Sequence, residues 1–189
     1  MHWIRIAWWI SILWGGAEIG LALFRRSPSN AGQRRDAGTL RLFWITISLS
    51  VTAAVVLQML PLGRFPWPAE VTGMLATGLL VTGLAIRFTA MVQLGRYFTT
   101  DVTILAGHRL VTAGLYRYVR HPAYTGMLLA FLGLGVSFSS WVSVAVLAVP
   151  IFLVTLRRIA VEERVLAETF GQEFLRYKQR TKRLLPGIF

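Results

Sequence analysis

The sequence contains no cysteine, and that absence removes disulfides, thiolate nucleophiles and cysteine-ligated metal or iron–sulfur centres. Charge is scarce as well. Only 15% of the 189 residues are Asp, Glu, Lys or Arg, against roughly 25% in an ordinary soluble domain. Histidines number three, at 2, 108 and 121. They have no ligand spacing, and no HExxH or carboxylate-rich di-iron pattern accompanies them, so no metal centre is expected. A serine–histidine–acid hydrolase lacks its nucleophile elbow. Apolar residues take up the remainder, 55% of the chain with seven tryptophans. That is the balance of a membrane protein, at a length that suffices for one domain.

Five apolar runs stand out, at 3–24, 40–60, 71–92, 127–138 and 141–156. The first three match the roughly 20 residues that a bilayer demands. The N-terminal run lacks a small-residue cleavage signal and is expected to be retained. The last two are short, are separated only by Ser139 and Ser140, and read as a tight helical hairpin. A 12-residue helix rises only about 18 Å. Either 122–126 supplies its first turn, or the hairpin is buried against the longer helices. In the tail, Val161, Val165, Leu166, Phe170, Phe174 and Tyr177 recur at helical spacing among acids and bases, the pattern of an interfacial helix interrupted near Gly171. The expected fold is therefore an all-α integral membrane protein with five transmembrane helices, the last two a short hairpin, plus a cytoplasmic interfacial C-terminal helix. The stretch 93–116 reads as irregular or weakly β-forming, so it lies in water or under the tail.

The basic residues orient this arrangement. Arg25, Arg26, Arg34, Arg35 and Arg41 fall in one connection, and Arg96, Arg109, Arg117 and Arg120 in another. Eight more follow Leu156, while only Arg5 and Arg64 lie on the opposite side. The N-terminus is thus expected outside and the C-terminus in the cytoplasm, and for a bacterial source the membrane is the inner or plasma membrane. A net charge of +12 raises nucleic acid as a partner. Its division into short segments between apolar runs favours anionic lipid heads at the cytoplasmic face and no nucleic acid.

The stretch RYVRHPAYTG, 117–126, places two arginines, a histidine and a proline at the mouth of an apolar run. Pro122 is suited to start a helix, and the arginines to anchor phosphate heads. The convergence of a loop on a helix N-terminus also suits a ligand carboxylate or phosphate. His121 would add a donor there, with Tyr124 one turn away on the same face. Glu162 and Glu163 follow Arg157 and Arg158 directly; they either offset those charges or hydrogen-bond an amine or hydroxyls of a ligand. Gly133 and Gly135 serve either helix packing or a close-approach notch. Glu18 is an acid inside the first run, and such acids face a partner or a cavity. Arg87 is its candidate partner, or else snorkels to the interface.

Together, LGRYFTTDVTILAGHRLVTAGLYRYVRHPAYTG and EERVLAETFGQEFLRYKQRTKRLLP resemble the isoprenylcysteine carboxyl methyltransferase family, within a wider grouping that includes phospholipid N-methyltransferases. The resemblance covers about residues 94–186. It implies a five-span bundle, a cytoplasm-facing pocket for S-adenosylmethionine and a lipid-side tunnel for a hydrophobic, prenyl or lipid-like acceptor. It also implies one membrane domain over 1–189, with a three-helix part at 1–92 and a cofactor-binding catalytic part at 93–189. The positions of its pattern HxLVxxGxYxxxRHPxYxG are held by His108, Leu110, Val111, Gly114, Tyr116, Arg120, His121, Pro122, Tyr124 and Gly126. By resemblance, His108, Leu110, Val111, Gly114, Tyr116, His121, Pro122, Tyr124, Glu162 and Glu163 bind the cofactor. Arg183 steers an acceptor carboxylate, with Tyr177 and Arg120 beside it. The implied activity is carboxyl O-methylation of an isoprenylcysteine-like acceptor. A phospholipid or other amine N-methyltransferase, a sterol-type reductase, and a non-catalytic scaffold or transporter element are the alternatives.

Overall fold

Six α-helices follow one another among the described residues, 2–24 and 38–188, of this computed structural model: α1 (His2–Phe24), α2 (Thr39–Leu57), α3 (Ala69–Leu94), α4 (Pro122–Ser137), α5 (Trp141–Phe170) and α6 (Gln172–Arg180). Short 3-10 turns at Gly95–Tyr97 and Gly114–Arg117 punctuate the long α3–α4 connection. That connection forms no strand, and β-pairing among the described residues is limited to isolated bridges. Arg25, Arg26, Arg34 and Arg35 lie outside the described residues.

Four helices, α1, α2, α3 and α5, are long and apolar enough to cross a membrane. The expectation of five transmembrane helices is corrected by α4, a shorter apolar helix. It does take Pro122–Gly126 into its first turns and reaches 16 residues. At 1.5 Å per residue that is about 24 Å, short of the ~30 Å hydrocarbon core. Its apolarity answers to protein instead of lipid, because Met127, Ala130 and Phe131 are buried in the core. The fifth run is also longer than expected. No residue between 156 and 161 breaks a helix, so α5 runs 30 residues without pause, through Pro150, and ends before Gly171. At about 45 Å its last third extends past the hydrocarbon, carrying Glu162 and Glu163 with it.

The packing is set by small residues. A Cβ on Gly83 would lie 2.6 Å from the Ala130 N and Gly126 O atoms, so α3 and α4 touch backbone to backbone. Gly133 repeats the contact farther along, against Ala76 and Leu80. Gly135 sits against Val144 and closes the α4–α5 hairpin. α1 runs parallel to α3: Thr77 Oγ1 donates to Trp3 O at 3.1 Å near one end, and Glu18 meets Arg87 near the other. α2 packs on α5, with the Arg158 guanidinium 5.7 Å from the Phe43 ring centroid. At the far end Phe65, Trp67 and Trp141 form a cluster with centroids 4.6–5.5 Å apart, Trp141 meeting the other two rings edge-on, the aromatic composition of a membrane interface.

Candidate active site

The site begins where α4 begins. Pro122 occupies the first turn of α4, where its missing N–H costs nothing. The residues before it are then available to pair with something else, and they pair with the tail. Arg120 N donates to Lys182 O at 2.8 Å and His121 N to Arg183 O at 3.0 Å. Val119 and Lys182 form a parallel bridge, and Thr125 Oγ1 donates to Leu184 O at 2.8 Å. Each such bond contributes about 0.5–1.5 kcal/mol net. Two segments sixty residues apart in sequence thus form one surface.

The paired glutamates lock that surface to α5. Glu163, 5% exposed, accepts from Arg120 Nε at 2.9 Å and from Arg183 Nη2 at 3.2 Å. Lys178 Nζ stands 3.5 Å away. Arg120 Nη1 also donates to the Thr181 and Lys178 carbonyls. Removing one member of such a buried pair costs about 3–5 kcal/mol. Glu162 points elsewhere and accepts from Tyr124 Oη at 3.1 Å, which in turn accepts from Arg158 Nε at 2.8 Å. His121 lies between the two acids, with Nδ1 3.8 Å from Glu162 and Nε2 3.5 Å from Glu163.

Arg120, His121, Tyr124, Arg158 and Glu162 face a cavity of about 160 Å³. Its wall holds His108, Leu110, Val111, Tyr116, Arg120, His121, Tyr124, Glu162 and Tyr177, which are nine of the residues named from sequence. Gly114, Pro122, Glu163 and Arg183 are not on it. Gly114 adopts φ 62 and abuts the Gln93 side chain, which receives Leu115 N at 2.9 Å; its role is the turn. Glu163 and Arg183 stand behind the wall and brace it. Tyr177 Oη donates to Tyr116 O at 2.7 Å, and Tyr116 Oη to Ala90 O at 3.3 Å. Burial pushes the Tyr177 phenol up to about 12 and the Tyr116 phenol higher still, so both remain donors rather than bases.

The cavity also takes in residues that the motifs did not indicate. The loop 97–104 lines it, including Thr100, Asp101 and Thr103, and Thr103 Oγ1 donates to the buried Asp101 carboxylate at 3.0 Å. The sequence signal was there: a run of threonines and an acid that cannot face lipid. Arg158 anchors this loop through Thr100 O. From the other side come Glu18, Leu40, Phe43, Trp44 and Arg87, so the cavity extends to the spanning helices. His108 is stacked on Tyr97 at 4.6 Å and meets Phe170 edge-on at 5.7 Å. Burial holds its imidazole below the usual value, against the opposing pull of Glu162, so the ring is neutral at pH 7. Among the described residues, no group of histidines and acids suited to a metal ion occurs.

Fold and site together define a class: an α-helical integral membrane protein whose polar loop and C-terminal tail close one cavity at the end of the bundle. A model of the isoprenylcysteine carboxyl methyltransferase (ICMT) family matches residues 75–168, and the chain belongs to that family. It is 34% identical over 105 residues to protein-S-isoprenylcysteine O-methyltransferase B of Arabidopsis thaliana, a match covering 54% of this chain and 53% of that one. With the Mus musculus protein-S-isoprenylcysteine O-methyltransferase it shares 30% identity over 196 residues, covering 98% and 66% respectively. The fold is similar to that of a solved eukaryotic intramembrane Ras methyltransferase ICMT, with TM-score 0.62 and 22% identity over 78% of this chain and 53% of that one. The chain spans about half the length of the plant relatives it matches.

Proposed function

We propose that the protein is an S-adenosylmethionine-dependent methyltransferase that esterifies the carboxylate of a lipophilic, isoprenylcysteine-like acceptor arriving from the membrane. The observation that carries this reading is the meeting of His121 and Glu162, 3.8 Å apart, on the wall of a cavity that also reaches the spanning helices α1 and α2. The donor set suits the cofactor. Thr100 and His108 line the cavity, and Thr100 Oγ1 and His108 Nδ1 are buried with no hydrogen-bond partner among the described residues. They match a ligand with an amino-acid end and a nucleoside end. S-adenosylmethionine supplies an electrophilic methyl group on a sulfonium. His121, Tyr124 and Glu162 hold its polar end, with His108, Leu110, Val111 and Tyr116 around the rest.

Charge favours a carboxylate acceptor over an amine. Three arginines, Arg87, Arg120 and Arg158, and three acids, Glu18, Asp101 and Glu162, line the cavity and balance. The cofactor brings one net positive charge, so an anionic acceptor restores neutrality while an ammonium adds to the excess. A carboxylate is already ionised at neutral pH and requires no general base. What remains is alignment and exclusion of water, which the cavity wall provides. Arg120 and Tyr177 stand on the wall for acceptor orientation, and Arg183 acts from behind through Glu163. The relatives named above carry isoprenylcysteine O-methyltransferase in their descriptions, which supports the acceptor class. The basic connections further support an N-terminus outside, a C-terminus in the cytoplasm and anionic lipid heads at that face.

The test is a titration of the protein in lipid nanodiscs with S-adenosylmethionine, followed by transfer from labelled cofactor to extracted lipids and to a farnesylated cysteine analogue. Saturable binding, lost in His121→Ala, and base-labile label on the analogue are expected. Absent binding, or base-stable label, refutes the carboxyl-methylation reading.

A further inference from the structure

Beyond the charge balance, Glu18 and Arg87 have no assigned role in the reading above, yet both line the cavity that His121 and Glu162 line. Glu18, on α1, accepts from Arg87 Nε and, at 2.6 Å, from Arg87 Nη2. Trp14 Nε1 fixes the same carboxylate at 2.8 Å. Arg87 Nη1 donates to Ala123 O, in the first turn of α4, at 3.2 Å. The side chains of Arg87 and Glu18 are 9% and 15% exposed. A guanidinium carries five N–H donors in a rigid fork. Among the described residues, Glu18 and Ala123 engage three of them, which leaves two, on Nη1 and Nη2 of a residue that lines the cavity.

Adhesion of α1 to α3 does not explain why the pair sits there. The Thr77–Trp3 hydrogen bond and the close approach of Gly73 to Trp3 and Ile4 already join those helices. What Glu18 does add is charge compensation: it lets an arginine stay in a spanning helix, which is costly for an unpaired cation. It also fixes the plane of the guanidinium, so that the residual donors have one orientation. The cavity wall contributed by α2, Leu40, Phe43 and Trp44, is apolar apart from the indole N–H. A lipophilic molecule with a planar two-oxygen head matches that combination.

We infer that Arg87 is a specificity-determining residue for the acceptor: its two remaining N–H donors, oriented by Glu18, receive the oxygens of the acceptor carboxylate. The inference rests on the methyl-transfer reading. Bidentate recognition of this kind depends on the planar fork and is lost with a lysine. It also distinguishes acid from ester. Esterification removes the negative charge and turns one of the two equivalent oxygens into a poor acceptor, so the product is held less well than the substrate.

The experiment measures equilibrium binding to nanodisc-embedded protein of a farnesylated cysteine derivative, as free acid and as methyl ester, beside a titration with S-adenosylmethionine. The wild-type protein is expected to prefer the acid by about tenfold, a difference of about 1.4 kcal/mol. In Arg87→Lys that preference falls to within about twofold while cofactor affinity holds within about twofold. The charge-swapped variant E18R/R87E rebuilds an ion pair and so recovers thermal stability, but not the preference. Should Arg87→Lys fail to fold, the swapped variant decides the matter alone. No acid preference in the wild type, a preference intact in Arg87→Lys or restored by the swap, or a parallel loss of cofactor affinity in Arg87→Lys, would each overturn the inference. Absence of cofactor binding to the wild type overturns the methyl-transfer reading instead, so the two failures are distinct.

Discussion

Glu162 and Glu163 are neighbours with different tasks, because consecutive positions on a helix diverge by about 100°. Glu162 reaches the cavity and Glu163 the hub of Arg120 and Arg183 behind it. His121 spans both. At the same scale His108 provides a pH signature. Its folded pKa lies below the ordinary histidine value of 6.5 because burial disfavours the cation, so between the two values the unfolded chain binds more protons than the native one. Stability is therefore unaffected by this group above about 6.5 and declines as pH falls below it. Thermal unfolding in detergent from pH 8 to 5, for wild type and His108→Gln, isolates the effect: the wild-type curve is expected to drop faster on the acid side. Parallel curves refute the assignment. The types and spacing of His108, His121, Tyr124 and Glu162 were legible because each is an unusual polar group beside apolar runs. What sequence left open was direction: whether a side chain faces the cavity or, as with Arg183, a buried acid, depends on a backbone path set sixty residues away.

Helix lengths explain where the sequence-based architecture departs from the observed one. Hydropathy reads how apolar a run is, and α4 is as apolar as a span, but its apolar surface is spent on α3 and α5 rather than on lipid. The same blindness shortened α5, since charge at Arg157 and Arg158 ends a hydrophobic run without ending a helix. The hairpin at Ser139–Ser140 and the break before Gly171 were legible because they depend on local chemistry. The α3–α4 contact offers the sharpest element-scale prediction. A methyl on Gly83 meets only backbone at 2.6 Å, which cannot move aside, so Gly83→Ala should destabilise by about 1–3 kcal/mol. Gly78→Ala in the same helix meets nothing within 4 Å and should be neutral or stabilising by about 0.5–1 kcal/mol. Equal melting temperatures for the two variants would refute the backbone-contact account. Because Gly126 is the other half of that contact and lies four residues past Pro122, loosening it also shifts the loop that carries His121.

Across the whole molecule, the spanning helices and the site are held by different forces. The bundle is apolar and small-residue packing, whereas the site depends on a tail that crosses back over the α4 mouth through main-chain hydrogen bonds. Removing residues 181–189 should therefore separate the two. The truncated chain loses the acceptors for Arg120 N, His121 N, Thr125 Oγ1 and the Arg120 guanidinium, but none of the contacts among α1–α5. Its helices should insert and keep their far-UV circular dichroism. The three lost bonds from Arg120 N, His121 N and Thr125 Oγ1, at about 1 kcal/mol each, would weaken S-adenosylmethionine binding by roughly 100-fold. Arg120 loses Thr181 but keeps Glu163 and the Lys178 carbonyl as partners, so collapse of the bundle is not expected. Undiminished cofactor affinity in the truncated protein would mean that α4 and α5 alone shape the cavity, and that the tail is bound to the site without forming it.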